Sequence, residues 1–236
     1  MQARRAQPSK QMTPAQLVHT LQLMDSLFPV GAFAYSDGLE SAAAAGRVHD
    51  ANSLAGWLDH FINAVFVPCE GLALLKCLRA AEKGEWATIR SIDEELTALK
   101  PAAATRVGSR SVGKRLLTTY AAIVRDSQFL SIVETLPQGN APVAYGVILS
   151  HRGLEGGDAL LAFGYVRLAG IVSAALRLIA LGQQQGQVLL TRAIDDLMIG
   201  VEHVLQTEDE PLRSFSPLLD IQQMSHRYVY CRLFRS

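Results

Sequence analysis

Leu54-Ala-Gly-Trp-Leu-Asp-His-Phe-Ile-Asn-Ala-Val-Phe66 sets the period of the whole chain. Its residues Leu54, Trp57, Leu58, Phe61, Ile62, Val65 and Phe66 fall at i, i+3, i+4, i+7, i+8, i+11 and i+12. That is a full apolar stripe along one face of a helix. Pro68 is expected to end this helix and begin the next, which carries Leu72, Leu75 and Leu78. Upstream, Thr13-Pro14 reads as a helix cap with proline at the first helical position, and Leu17, Leu21, Met24 and Phe28 recur until Pro29. Downstream, Trp86, Ile89, Ile92, Leu96 and Leu99 form another stripe before Pro101. Further helices are expected over 102–120, 122–135, 142–152, 157–181 and 186–205. No run of strand alternation is bounded by hairpin turns. The reading is all-α: a single-domain helical bundle of roughly ten helices.

The bulk numbers agree with one domain. A chain of 236 residues buries roughly 70–75% of its unfolded surface on folding. Lys and Arg number 22, Asp and Glu 22, so no net charge draws the chain to nucleic acid or an anionic membrane. Only 19% of residues are charged while 49% are apolar, a balance that suits buried interfaces. Cys69, Cys77 and Cys231 show no CxxC spacing and read as reduced cytosolic thiols. The N-terminus has no secretory pattern, so residues 1–12 are expected to be a disordered tail. The most apolar stretch, Ala159 to Leu181, is interrupted by Arg167 and Arg177 and loosened by Gly164 and Gly170. A buried helix is expected there, not a membrane span.

Catalytic and metal motifs are sparse. Gly108-Ser-Arg-Ser-Val-Gly113-Lys114 has the spacing of a phosphate-binding loop, but Arg115 stands where that loop needs Ser or Thr. Arg106, Arg110 and Lys114 are spaced by four with Arg115 beside them, so a basic helical surface is expected instead. None of the six histidines forms H-x-x-x-H or H-E-x-x-H. His226 and Cys231 are the nearest approach to a metal pair, and two ligands do not define a site. Asp93-Glu94-Glu95 and Asp195-Asp196 read as solvated helix faces. No cofactor site, metal site or catalytic residue is expected.

Three segments depart from helical monotony: Leu27–Glu40, Leu181–Gln187 and Pro211–Ser236. The last crowds Arg227, Arg232 and Arg235 among Tyr228, Tyr230, Leu233 and Phe234. Arginine with aromatics is the composition of protein interfaces. Residues 211–236 are therefore expected to be a docking segment on a 13–210 helical domain. The tail's contacts are assigned to Asp220, His226, Tyr230, Arg232, Leu233, Phe234, Arg235 and Ser236. Tyr230, Leu233 and Phe234 are expected to become ordered on a partner as anchors, with Arg232 and Arg235 at the rim. In the first segment Gly31 and Gly38 allow tight turns, Phe33 and Tyr35 pack, and Ser36 caps the short helix through Leu39 and Glu40. With Pro29, these residues serve a partner or a structural corner. Gly182, Gln183, Gly186 and Gln187 bind a partner or satisfy groups at a helix end, the structural role being preferred.

Taken in order, the three segments resemble blocks of the urease accessory protein UreF family. Leu27-Phe-Pro-Val-Gly-Ala-Phe-Ala-Tyr-Ser-Asp-Gly-Leu-Glu40 is similar to its P-V-G-x-F-x-Y-S-x-G-L-E block. Arg177-Leu-Ile-Ala-Leu-Gly-Gln-Gln-Gln-Gly-Gln187 is similar to its R-L-x-x-L-G-Q-x-x-G-Q block. The ending, Pro217 through Asp220-Ile221, Met224, His226 and Arg232-Leu-Phe-Arg-Ser236, resembles the C-terminal signature. Ala34 departs where a small hydroxyl residue is common, and Arg227 where a carboxylate is common. The resemblance implies a non-catalytic helical chaperone for nickel urease maturation, acting in the cytoplasm. It implies pairing with a UreD-type partner (also called UreH), docking on apo-urease and recruitment of the GTPase UreG. It further implies a homodimer, a C-terminal segment that binds the UreD-type partner, and no nucleic acid or membrane partner. Two alternatives stay open. In one the chain regulates UreG directly through Arg106, Arg110 or Gln183. In the other it is a nickel metallochaperone using His226 and Cys231.

Overall fold

The computed structural model describes residues 11–134, 136 and 138–235, and among them there is no β-strand. The tail expected at 1–12 therefore lies outside the described residues except for Gln11 and Met12, and Ser236 lies outside them too. Helices run in the order α1 Pro14–Met24, α2 Leu39–Ala44, α3 Ala51–Phe61, a π-helical segment Ile62–Gly71 and α4 Leu72–Glu82. They continue as α5 Trp86–Ala98, α6 Ala103–Val124, α7 Ser127–Glu134, α8 Ala141–His151, α9 Gly156–Leu178, α10 Gln183–Gln206 and α11 Pro217–Ser225. Thr13 caps α1 in a full capping box with Gln16, as its sequence predicts.

Pro68 does not end its helix. α3, the π segment and α4 form one continuous rod, Ala51–Glu82, with Pro68 inside it. The wider π turn passes the proline ring without the clash an α-turn would impose. The Pro68 carbonyl accepts the Arg213 N–H at 2.9 Å. The predicted stripe holds throughout: Leu54, Leu58, Phe61, Ile62 and Phe66 are buried, Trp57 and Val65 half-buried.

α8 sits at the centre, with every residue from Ala141 to Leu149 buried. It packs between α4 and α6, while α9 pairs with α10 along the other side of the rod. α1 is peripheral. It buries Thr20 and Leu23, so Leu17 and Leu21 of the expected stripe face outward and are exposed. The face is turned because α1 packs on α9 through its other side and is fastened by the Gln16 amide to the Arg152 and Gly153 carbonyls.

The glycines of the phosphate-loop-like motif belong to helix packing. A Cβ on Gly113 would overlap the Gly139 carbonyl, and one on Gly108 would lie 2.9 Å from the Tyr35 ring. The backbone before α8 thus rests directly on α6. Asp93 corrects its expected solvation: it is fully buried and accepts the Gly139 N–H at 2.6 Å and the Asn140 N–H at 2.9 Å. One carboxylate closes the donors ahead of α8, where no side chain of α8 itself does so. Glu94, Glu95, Asp195 and Asp196 are exposed as expected.

Two helices, Ala51–Glu82 and Gly156–Leu178, are long and apolar enough to cross a membrane. Their charges meet each other inside this fold, Arg167 of the second on Glu70 of the first at 3.0 Å. That pairing, with the burial of both helices against neighbours, marks them as core helices.

Candidate functional site

The Leu27–Glu40 block is built on left-handed backbone. Gly31 (φ 71°) opens a 3-10 turn at Ala32–Ala34, and Asp37 (φ 51°) with Gly38 (φ 90°) starts α2. Asp tolerates this region better than most residues with a Cβ. At Gly38 even the conformational argument is secondary, since a Cβ there would press to 2.9 Å on Gln223 of α11. Ser36 Oγ accepts the Glu40 N–H at 3.4 Å, a long bond that stands in for a helix cap.

This block joins two different polar assemblies. The inner one runs through Asp37. Arg167 of α9 reaches Asp37 at 2.7 Å and Glu70 of the π segment at 3.0 Å, and Lys100 reaches Glu70 at 2.7 Å. Burial alone would raise the Glu70 carboxyl, but Arg167 and Lys100 outweigh it and hold it down at about 2. Burial likewise works against the charge on Lys100, and Glu70 more than restores it, so its pKa is raised. The layer ties the N-terminal block, the rod, the α5–α6 turn and α9 together. Sequence reading missed these four residues. The available signal was a lone charge, Glu70 or Arg167, inside an otherwise apolar helix.

The outer assembly runs through Glu40, which is almost wholly buried. Its carboxylate faces His226 Nε2 at 2.6 Å and accepts the Leu233 N–H at 2.6 Å and the Phe234 N–H at 3.3 Å. The Arg235 N–H reaches the Ala34 carbonyl at 2.7 Å. Phe234 is 5% exposed, its ring under the Arg177 guanidinium at 4.2 Å, and Arg177 also donates to the Phe33 carbonyl at 3.3 Å. The first and last of the three expected segments are therefore one site, joined by Arg177.

Within the tail the expected anchors separate. Phe234 and His226 are spent inside the fold. Tyr230 is fully exposed at 105%, and Tyr228 and Leu233 are exposed. Arg232 and Arg235 are exposed, with no carboxylate within 4 Å among the described residues. Asp220 is half-buried, its carboxyl raised by burial against the pull of Lys100. In the block, Phe33 is 72% exposed and Pro29 exposed, while Leu39 is buried and Tyr35 packs on α6.

The middle segment stands apart from this cluster. Gln183–Gln187 is the first turn of α10 and not a loop, since glutamine is a good helix former behind the Gly182 cap. Gln183 and Gln187 are exposed, and Gly186 packs against Val172 and Leu176 of α9. Of the alternative candidates, Arg106 is tied to the Lys100 and Pro101 carbonyls. Cys231 is exposed while the His226 ring is buried on Glu40. Among the described residues no three His, Cys, Asp or Glu side chains are grouped as a metal site.

Comparison with known proteins bears on this architecture. The UreF family model matches residues 48–194. The chain is 32% identical to the urease accessory protein UreF of Methylobacillus flagellatus, over 93% of this chain and 97% of that protein. It is 32% identical to that of Granulibacter bethesdensis over 97% and 98% of the two chains, and 29% identical to that of Thermosynechococcus vestitus over 95% and 100%. The relatives are, by name, accessory proteins of an enzyme. The chain belongs to the urease accessory protein UreF family.

Proposed function

We propose that the protein is a non-catalytic scaffold for maturation of the nickel site of urease. In this reading it pairs with a UreD-type protein and, as a homodimer in the complex, docks on apo-urease and recruits the GTPase UreG in the cytoplasm. The observation that carries the reading is the fastened tail. Glu40 and Ala34 hold it at His226, Leu233 and Arg235, while Tyr228, Tyr230 and Leu233 stand exposed beside Arg232 and Arg235, which have no carboxylate within 4 Å among the described residues. Exposed aromatics and arginines on a held segment lose little entropy on docking, which favours a specific interface. The exposed thiol of Cys231 suits a reducing compartment.

Co-purification with a UreD-type partner tests this. Three chains are compared: the full chain, a Tyr230→Ala/Leu233→Ala variant and a truncation after Leu219. Binding by the full chain alone supports the scaffold with its interface in the tail. Equal binding by all three moves the interface elsewhere. Binding by none overturns the reading.

A further inference from the structure

Below a mouth formed by Phe33 and Arg177 lies a cavity of about 320 Å³, within the size range of small-ligand sites. Leu23, Phe28, Val30, Val112, Phe163 and Ile171 line it with apolar surface, and its polar lining includes Asp37, Glu70, Lys100, Thr105 and Arg167. Counting hydrogen bonds shows what remains unused there. Glu70 is occupied on both oxygens, by Lys100 Nζ on Oε1 and Arg167 Nε on Oε2. Arg167 Nη2 is on Asp37. Among the described residues, Glu70 is the one acceptor of Lys100 Nζ, and no acceptor is found for Arg167 Nη1. An ammonium carries three donors and a guanidinium five. The buried Lys100 ammonium and the half-buried Arg167 guanidinium therefore keep unused N–H donors, and the Thr105 hydroxyl on the same lining is buried with no partner among the described residues; the set calls for an oxygen acceptor. Arg177 at the mouth is a third cation, with no carboxylate within 4 Å among the described residues. Asp25, the remaining carboxylate on the lining, is exposed and accepts the Leu27 N–H.

We propose that this cavity binds a small monocarboxylate, with its apolar stem against Val30, Phe163 and Ile171 and its carboxylate on Lys100 Nζ and Arg167 Nη1. The proposal is independent of the scaffold reading, because it needs no partner protein. Unused N–H donors at the foot of apolar walls favour an anionic head on a hydrocarbon stem. An alcohol would satisfy fewer donors, and an amine would have to share Glu70 and Asp37 with the Lys100 and Arg167 groups already on them.

The full-length chain is titrated calorimetrically with sodium hexanoate, with 1-hexanol and hexylamine as comparators. The blocking variant is Gly170→Phe. Gly170 lies on the exposed side of α9 at the cavity, and a Cβ there meets nothing within 4 Å, so the ring can cover the mouth without disturbing the helix. Saturable one-site binding of hexanoate is expected, at least about tenfold tighter than either comparator, a factor set by the charge-assisted bonds. Gly170→Phe is expected to weaken it at least about tenfold with an unchanged melting temperature. Nuclear Overhauser contacts from the hexanoate methylenes to the Val30 and Val112 methyls are expected in the unaltered chain, and they stand whether or not the variant folds. Absence of saturable binding overturns the proposal. So does equal binding of hexanol, or binding without those contacts.

Discussion

Glu70 and Glu40 are both almost completely buried carboxylates, and they are held in opposite ways. Glu70 is neutralised by two cations from distant parts of the chain, Arg167 at 3.0 Å and Lys100 at 2.7 Å. Glu40 faces one imidazole and two backbone N–H groups, all from the last eleven residues. The first welds core elements to one another, and the second fastens a single segment to the outside of the core. Buried charge of similar exposure thus serves global stability in one place and local order in another. The difference follows from where the partners come from, and it can be measured.

The largest effect belongs to Glu70. Glu70→Ala leaves the Lys100 ammonium buried with its counter-charge gone and the half-buried Arg167 guanidinium with Asp37 alone. Removing one member of a buried ion pair costs about 3–5 kcal/mol. Equilibrium urea unfolding should show that loss with a cooperative transition retained. A loss under about 1 kcal/mol would mean that water reaches the layer and that the comparison with Glu40 fails.

Acid should expose the same asymmetry. The Glu70 carboxyl is depressed from 4.5 to about 2. A depressed carboxyl contributes stability above its unfolded value, and that contribution drains away as pH falls through the window between the two values. That contribution is present at neutral pH and lost between roughly pH 4.5 and pH 2. The difference in stability between the unaltered chain and Glu70→Gln should shrink across that window. A difference that stays constant with pH would show that Glu70 is not ionised in the folded chain.

Glu40 comes next. Glu40→Ala removes the acceptor of the Leu233 and Phe234 N–H groups and strands His226, which should cost about 1–3 kcal/mol. The loss should be local. Hydrogen exchange at Leu233, Phe234 and Arg235 should accelerate while the amides of α8 keep their protection. If α8 loses protection in step, the tail is part of the core and the two carboxylates are alike.

Much of this was legible in sequence, and the reasons differ by region. The stripe from Leu54 to Phe66 was readable because helical period and burial coincide there. Pro68 was misread because proline normally ends an α-helix, and nothing local announces a π turn or the distant Arg213 N–H that the Pro68 carbonyl accepts. The tail and the Leu27–Glu40 block announced themselves by composition. Their mutual contact did not, since the His226–Glu40 pair spans 186 residues and no local pattern encodes it. Phe234 looked like an anchor for a partner because composition cannot say which of three apolar residues faces inward. Asp93 was read as solvated since two exposed carboxylates follow it, and its real partners, the N–H groups before α8, lie 46 and 47 residues away. Long-range polar pairing is the part of this fold that sequence period does not carry.

The smallest expected change in stability is also the sharpest functional test. Tyr230 is fully exposed and stands in sequence between His226 and the Leu233–Phe234 pair, all held by Glu40. Substitutions at such exposed positions usually change stability by no more than about 0.5 kcal/mol. Tyr230→Ala should therefore leave the melting temperature and the exchange of the Leu233 amide unaltered. If the tail is an interface, affinity for the UreD-type partner should fall by about 2 kcal/mol, some thirtyfold, the size expected of an aromatic hot spot. Phe234→Ala should do the reverse in part, loosening the tail before it touches affinity, because its ring is packed under Arg177. The two variants divide what the segment does for the fold from what it does for a partner. Equal affinity loss with equal loosening in both would mean that the exposed ring has no role beyond tail order.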